Sequence, residues 1–259
     1  MRSFGLFHVL AGLLLATTAT HAGAGATQDG ASELARCSAW LTPRTSRDLP
    51  EVQLIGIRTV CADLGSGMTR EIADRFTRQL SRVPRDQTPQ VVVRSIGGEV
   101  DHGMGMGEAI LDRRAVVHVF GFCASSCANY LFLAGAKRYV MPESVVFFHG
   151  GLVRASVRNG ELTDAGRIRI ERSLDRQARF LRRAGIDADF FEAMDALNSS
   201  TGAEAACPGV ETVSALVLSD ERLASAGAPV ERNEGPQSQT ELTRAMARYD
   251  LADTSCFWR

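Results

Sequence analysis

AVVHVFGFCASSCANYLFLAG, residues 115 to 135, decides the fold. Ala115 to Phe120 is an apolar, β-branched run and predicts a buried strand. The chain then passes through Gly121 and a cluster of small residues, and Ala128 to Gly135 is apolar at helical length. A strand that feeds a helix through a small-residue turn is half of a βαβ unit. The same alternation extends in both directions. Upstream, Val52 to Val60 reads as a strand, and Met68 to Leu80 as a helix with Ile72, Phe76 and Leu80 on one face. Pro89 to Ser95, with VVV at its centre, reads as a strand buried on both faces. It ends in SIGGEVDHGMGMGEAIL, a glycine turn leading into a helical segment near Ile110. Downstream, Ser144 to His149 closes the series as a further strand. The order implies an α/β fold with mostly parallel strands, whose strand-to-helix turns gather along one edge of the sheet.

Thr163 to Ala184 predicts a long helix with two stripes. Arg169, Arg172, Arg176, Arg179 and Arg183 form one, and Ile170, Leu174, Ala178 and Leu181 form the other. The plain reading is a core-facing helix with a solvated arginine face. The sharper one is a subunit interface that pairs with the acidic stretch beyond Asp187. Leu218 to Pro229 reads as a short helix ending at Gly227. The tail from Arg232 starts as a polar linker and carries one peripheral helix.

The chain has 259 residues, is 45% hydrophobic and carries a net charge of -1, which suits one domain with a sizeable core. Near-neutral charge argues against a dedicated nucleic-acid or anionic-membrane binder. Residues 1–26 read as an export signal: Arg2, an apolar stretch from Phe4 to Ala16, and small residues offering cleavage after Ala22, Ala24 or Ala26. An N-terminal extension (27–50), a domain (51–230) and a C-terminal tail (231–259) follow, in an exported, periplasmic or secreted protein. Six cysteines in the mature part suit disulfides in an oxidising compartment, with 15 pairings open. Cys37 with Cys61 and Cys207 with Cys256 would tie the chain ends to the core, and Cys123 with Cys127 is the local third possibility. No metal-ligand spacing is present, and no metal or other cofactor is expected.

Chemistry gathers at three strand ends. Gly97 and Gly98 end the VVV strand, where paired glycines leave backbone N–H groups unobstructed, as an oxyanion site demands. Ser125 and Ser126 sit at a strand-to-helix turn, where free helix N–H groups favour negative charge, although an N-cap serine belongs there too. His149 ends an apolar strand before Gly150-Gly151 and has the proton affinity of a general base. Lys137, the chain's one lysine, lies eleven residues after Ser126. That separation spans about 16 Å of helix and excludes a serine–lysine dyad. Cys123 or Cys127 as nucleophile would be silenced by pairing. His118 reads as structural, and His102 as a possible lining of the cleft.

Taken in order, SIGG, ASSCA, Ala134-Gly135, Lys137-Arg138, Met141-Pro142 and SVVFFH resemble the proteolytic subunit of Clp-type serine peptidases, within the Clp/crotonase superfamily. The resemblance covers roughly Val52 to Pro229. It looks closest to an exported, cysteine-bearing branch whose serine motif has the form C-A-S-x-C. It implies a spiral of ββα units with mostly parallel strands. Counting back nine residues from Gly135, as the family's pattern directs, selects Ser126 as nucleophile. His149 would then be the base, and the N–H groups of Gly97 or Gly98 and of Cys127 would hold the oxyanion. The Ser126-to-His149 interval is two residues shorter than in the family, which a shorter basic turn at Ala136 to Arg138 accounts for. The family's acidic member falls at Ser214 or Ala215, neither of which is acidic, leaving Glu211, Asp195 or Asp220 as substitutes. The expected function is an exported Clp-like serine hydrolase, a peptidase acting on peptide or protein substrates, in a possible homo-oligomer without an ATPase partner. An inert Clp-like fold used for binding or assembly is the alternative; coenzyme A chemistry is not expected outside the cytoplasm.

Overall fold

Two strands, not one, come from the apolar run at Val52. In the computed structural model, which describes residues 24–45, 48–65, 67–153, 163–198, 200–210 and 212–259, Gly56 turns the chain at φ +64°. The run is thereby divided into β1 (Glu51–Ile55) and β2 (Thr59–Asp63), paired antiparallel. From β2 onward the expected alternation holds: α2 (Arg70–Ser81), β3 (Gln90–Ser95), α3 (Val100–Arg113) and β4 (Val116–Ala124). Thr69 caps α2, and Ile72, Phe76 and Leu80 form its buried face.

The main sheet runs β1-β2-β3-β4-β5-β8, with β5 (Lys137–Val140) and β8 (Arg232–Asn233) extending it in parallel, and β6 (Val145–Phe147) pairing with β4. Beyond the first hairpin every described strand ladder of this sheet is parallel, the mixed α/β architecture expected of a Clp/crotonase-like fold. β5 occupies the segment that reads in sequence as a basic turn. The partners of β4 change along its length. Val116 to Val119 pair with β5, whereas Phe122 to Ala124 pair with β6. Gly121 sits at the break with φ +72°, and its N–H donates to Ser144 Oγ at 2.8 Å. The second half of β4 is thereby aimed at the serine turn.

After β4 comes α4 (Cys127–Phe132), a π-helix whose six residues are all buried. Arg138 is buried at its far end and donates to the carbonyls of Phe132 and Leu133, at 3.1 and 2.5 Å. Burial lowers the pKa of this guanidinium to about 10. α5 (Asp164–Ala184), capped by Thr163, lies across α3. Its buried face is Ser173, Leu174, Gln177, Phe180 and Leu181, rotated from the expected stripe: Ala178 is exposed and Gln177 is inside. The arginine face is only partly solvated, because Arg176 pairs with Glu108 at 2.7 Å and Arg183 pairs with Asp112. Beyond it lie α6 (Phe190–Asp195), α7 (Ser200–Ala206), β7 (Ala215–Leu218) and α8 (Asp220–Ser225).

The described segments on both flanks of the domain are bound into this core. α1 (Ala24–Leu41) fills the stretch that carries no clear pattern in sequence, and it is tied to β2 by Cys37–Cys61. Asp63, 1% exposed, takes a bidentate contact from Arg94 at 2.8 and 3.2 Å and a third bond from Arg44 at 2.7 Å. The paired charges compensate their burial at the foot of α1. The tail is less peripheral than expected. After α9 (Gln239–Met246), β9 (Ser255–Trp258) pairs in parallel with β7 and is tied back by Cys207–Cys256. The expected export signal lies mostly outside the described residues. Among the described residues no helix is long and apolar enough to cross a membrane.

Candidate active site

Two backbone segments meet above the end of β4. The serine side begins where β4 stops at Ala124. Ser125 has φ +56°, a left-handed conformation that costs a residue with a side chain roughly 1–2 kcal/mol. Three constraints hold it there. Its N–H donates to Phe147 O at 3.2 Å, its carbonyl accepts from Asn129 N at 2.8 Å, and Cys123–Cys127 closes a covalent loop around it. Backbone strain held in this way is typical of functional turns.

The histidine side follows β6. Phe148 exchanges two backbone hydrogen bonds with Leu216 of β7, at 2.7 and 2.8 Å. The carbonyl of Gly150 accepts from Asn129 Nδ2 at 2.7 Å. Leu152 then bonds both ways to the buried amide of Gln177, at 3.2 and 2.8 Å. Between these anchors the exposed ring of His149 places Nε2 2.6 Å from Ser125 Oγ.

His149 therefore meets Ser125, not Ser126. Ser126 is 2% exposed, and its hydroxyl donates to the Gly98 carbonyl at 2.8 Å, away from the ring. The π-helix supplies the physical reason for the one-residue difference. A π-turn takes more residues per turn than an α-turn, so α4 absorbs an extra residue between the serine turn and Gly135. Counting back nine positions from Gly135 lands on Ser126, whereas the contact with His149 is made by Ser125. The other signal in the sequence, a serine in the third place of C-A-S-x-C, falls on Ser125.

Gly97 and Gly98 come beside this turn with φ of +103° and +146°. A Cβ on Gly97 would lie 2.7 Å from Ser125 Cβ, and one on Gly98 would lie 2.4 Å from Met68 N, so neither position accepts a side chain as it stands. Their N–H groups differ. Gly97 donates to Ser95 Oγ at 3.0 Å, whereas Gly98 is exposed and donates to no described residue. Cys127 is fully buried at the start of α4 and joined to Cys123.

No described carboxylate is hydrogen-bonded to His149. Ala215 is buried in β7, and the carboxylate of Asp220 accepts from Asn233 Nδ2 at 2.7 Å. Asp195 ends α6 without a bond to the ring, and Glu211 lies outside the described residues. Asn129 is the residue that sequence reasoning missed. It is 3% exposed and ties the backbone of Ser125 to that of Gly150, while its Oδ1 is buried with no hydrogen-bond partner among the described residues. Its only signal in sequence is a polar residue inside an otherwise apolar helix.

His118 is structural, as read. It stacks on Tyr139 with centroids 4.8 Å apart, and its Nε2 lies 2.8 Å from Gln90 Oε1. His102 is on α3, facing a groove rather than Ser125. Among the described residues no cluster of three or more metal-ligating side chains occurs.

Residues 53–177 match the family model for Clp protease. No curated protein matches the chain. The matched segment runs from β1 into α5 and contains the glycine pair, the serine turn and His149, and the mostly parallel α/β fold agrees with it. Over that segment the chain is Clp-protease-like, with a serine-peptidase-like fold.

Proposed function

We propose that this protein is an exported serine peptidase in which Ser125 is the nucleophile and His149 the general base. The observation that carries the reading is the 2.6 Å contact between Ser125 Oγ and His149 Nε2. In this reaction Ser125 Oγ attacks the peptide carbonyl carbon as its proton passes to His149. The C–N bond then breaks, His149 returns the proton to the leaving amine, and water hydrolyses the acyl-serine by the same route. Moving the nucleophile by one residue moves the adjacent oxyanion donor from Cys127 to the Ser126 N–H. The Gly98 N–H is its partner, since the Gly97 N–H already serves Ser95. Ser126 has a different task, fastening the glycine turn through the Gly98 carbonyl. Backbone anchors do the orienting work, since no described carboxylate bonds the ring.

Export fits the apolar segment near the N-terminus and three disulfides, which persist in oxidising compartments. A homo-oligomer is compatible with this reading; no ATPase partner and no cofactor enter it.

Labelling with a fluorophosphonate tests the assignment. The wild-type chain is expected to label, Ser125→Ala to lose the label, and Ser126→Ala to keep it. Labelling that survives in Ser125→Ala and vanishes in Ser126→Ala would return the role to Ser126. A wild-type chain that never labels, with its disulfides intact, would favour an inert binding fold.

A further inference from the structure

We propose that the arginine-lined groove between α2, α3 and α5 binds an acidic segment of a polypeptide. The groove has a volume of about 770 Å³, within the range of ligand sites. Arg70 projects into it from α2, and Arg169, Arg172, Arg176 and Arg179 from α5. Arg176 is engaged: it holds Glu108 at 2.7 and 3.1 Å and the Asp101 carbonyl at 3.0 Å. The other four make no ion pair or side-chain hydrogen bond with a described residue. Helical spacing thus gathers like charges around one concavity, where their mutual repulsion is relieved by an incoming anion. Guanidinium forks match carboxylates two bonds at a time. Gly105 keeps the floor low: a Cβ there would lie 3.4 Å from Arg176 Nη2.

The rest of the lining selects a peptide over a uniform polyanion. Asp74, Asp101 and the Thr77 hydroxyl stand among the arginines. These acceptors suit the N–H groups of a polypeptide backbone and repel a continuous run of phosphates. The whole chain, at a net charge of -1, also lacks the broad basic field that nucleic acid or polyphosphate binding draws on. The groove lies on α3, the helix whose Gly103 packs against Ser126: a Cβ on Gly103 would come within 3.0 Å of Ser126 Cβ. One helix thus separates the groove from the serine turn, so an acidic segment held there belongs to a polypeptide passing the site.

The test is a binding measurement on full-length Ser125→Ala, so its result does not depend on the serine's reactivity. A fluorescein-labelled Glu-rich peptide and its Gln-for-Glu counterpart are titrated by anisotropy at low and high salt. The Glu-rich peptide is expected to bind at least about tenfold more tightly, a difference that salt shrinks. Arg169→Gln, Arg172→Gln and Arg179→Gln combined should abolish that difference. All three side chains are exposed, so the fold is unaffected. Arg182→Gln, on the same helix outside the groove, should leave binding unchanged. Equal affinity for both peptides, or undiminished binding in the triple variant, overturns the proposal. So does inorganic polyphosphate binding more tightly than the Glu-rich peptide. A triple variant that loses self-association in sedimentation without losing peptide binding would instead make the groove an interface between copies of this chain.

Discussion

The two sides of the candidate site are built by opposite means. The serine side is covalent and local: only three residues lie between Cys123 and Cys127, and the strained Ser125 is the middle one, at the end of a buried strand. The histidine side is non-covalent and distant. His149 is exposed, and its position depends on Leu216, Asn129 and Gln177, which come from three different elements. Leu216 itself pairs with Cys256 in β9, so the Cys207–Cys256 disulfide stands behind the histidine at one remove. A strained conformation needs a short, stiff restraint. An exposed ring needs only that its backbone be fixed on both flanks.

Each contrast can be broken separately, beginning with the largest effect. His149→Ala should lower the labelling rate about 10²- to 10⁴-fold, the usual worth of a general base, with little change in melting temperature because the side chain is exposed. An unchanged rate would remove the histidine from the reaction. Cys207→Ala with Cys256→Ala opens a link spanning 49 residues and should cost about 4 kcal/mol in urea unfolding. Labelling of the folded fraction should fall only modestly. The buried His118 makes the reverse case to exposed His149. Burial, aided by Arg232, lowers its pKa to about 4, so the native state resists protonation while the unfolded chain takes a proton near 6.5. Stability should be full above pH 6.5 and decline as pH falls towards 4, by on the order of 3 kcal/mol. His118→Gln should flatten that slope; a slope that persists would assign it to other groups.

Cys123→Ala with Cys127→Ala should cost less stability than the distant disulfide, about 2 kcal/mol for so short a loop. Its labelling rate should nevertheless fall further, by at least about tenfold, because the released turn relaxes from the left-handed conformation. Stability and labelling falling in the same order for both disulfide variants would erase the distinction between the two sides. The smallest effect belongs to Asn129→Leu, which removes one bond to the Gly150 carbonyl. A loss near 1 kcal/mol is expected, read as a several-fold lower kcat at unchanged KM.

Much of this was legible in sequence because it repeats locally. The VVV strand, the helix over Ile72, Phe76 and Leu80, and the helix from Thr163 each declare themselves through a period of apolar residues. What stayed hidden had no such period. β5 is only four residues long and begins with Lys137-Arg138, so it resembles a turn until β4 and β8 are seen on either side. α1 is held by a short apolar patch, Leu34, Cys37 and Leu41, by the Cys37–Cys61 disulfide and by Glu33, whose carboxylate accepts from Ile57 N and Thr59 Oγ1; none of these partners is near it in sequence.

The residue types at the site, a glycine pair, two serines and a histidine at successive strand ends, were determined by the sequence alone, as was the parallel α/β plan that brings those ends together. Which serine meets the histidine was decided by tertiary structure. That choice depends on π-winding in α4, on a left-handed backbone at Ser125 and on the two anchors flanking His149. Spacing along a chain counts residues, whereas a hydrogen bond depends on where a helix has turned them.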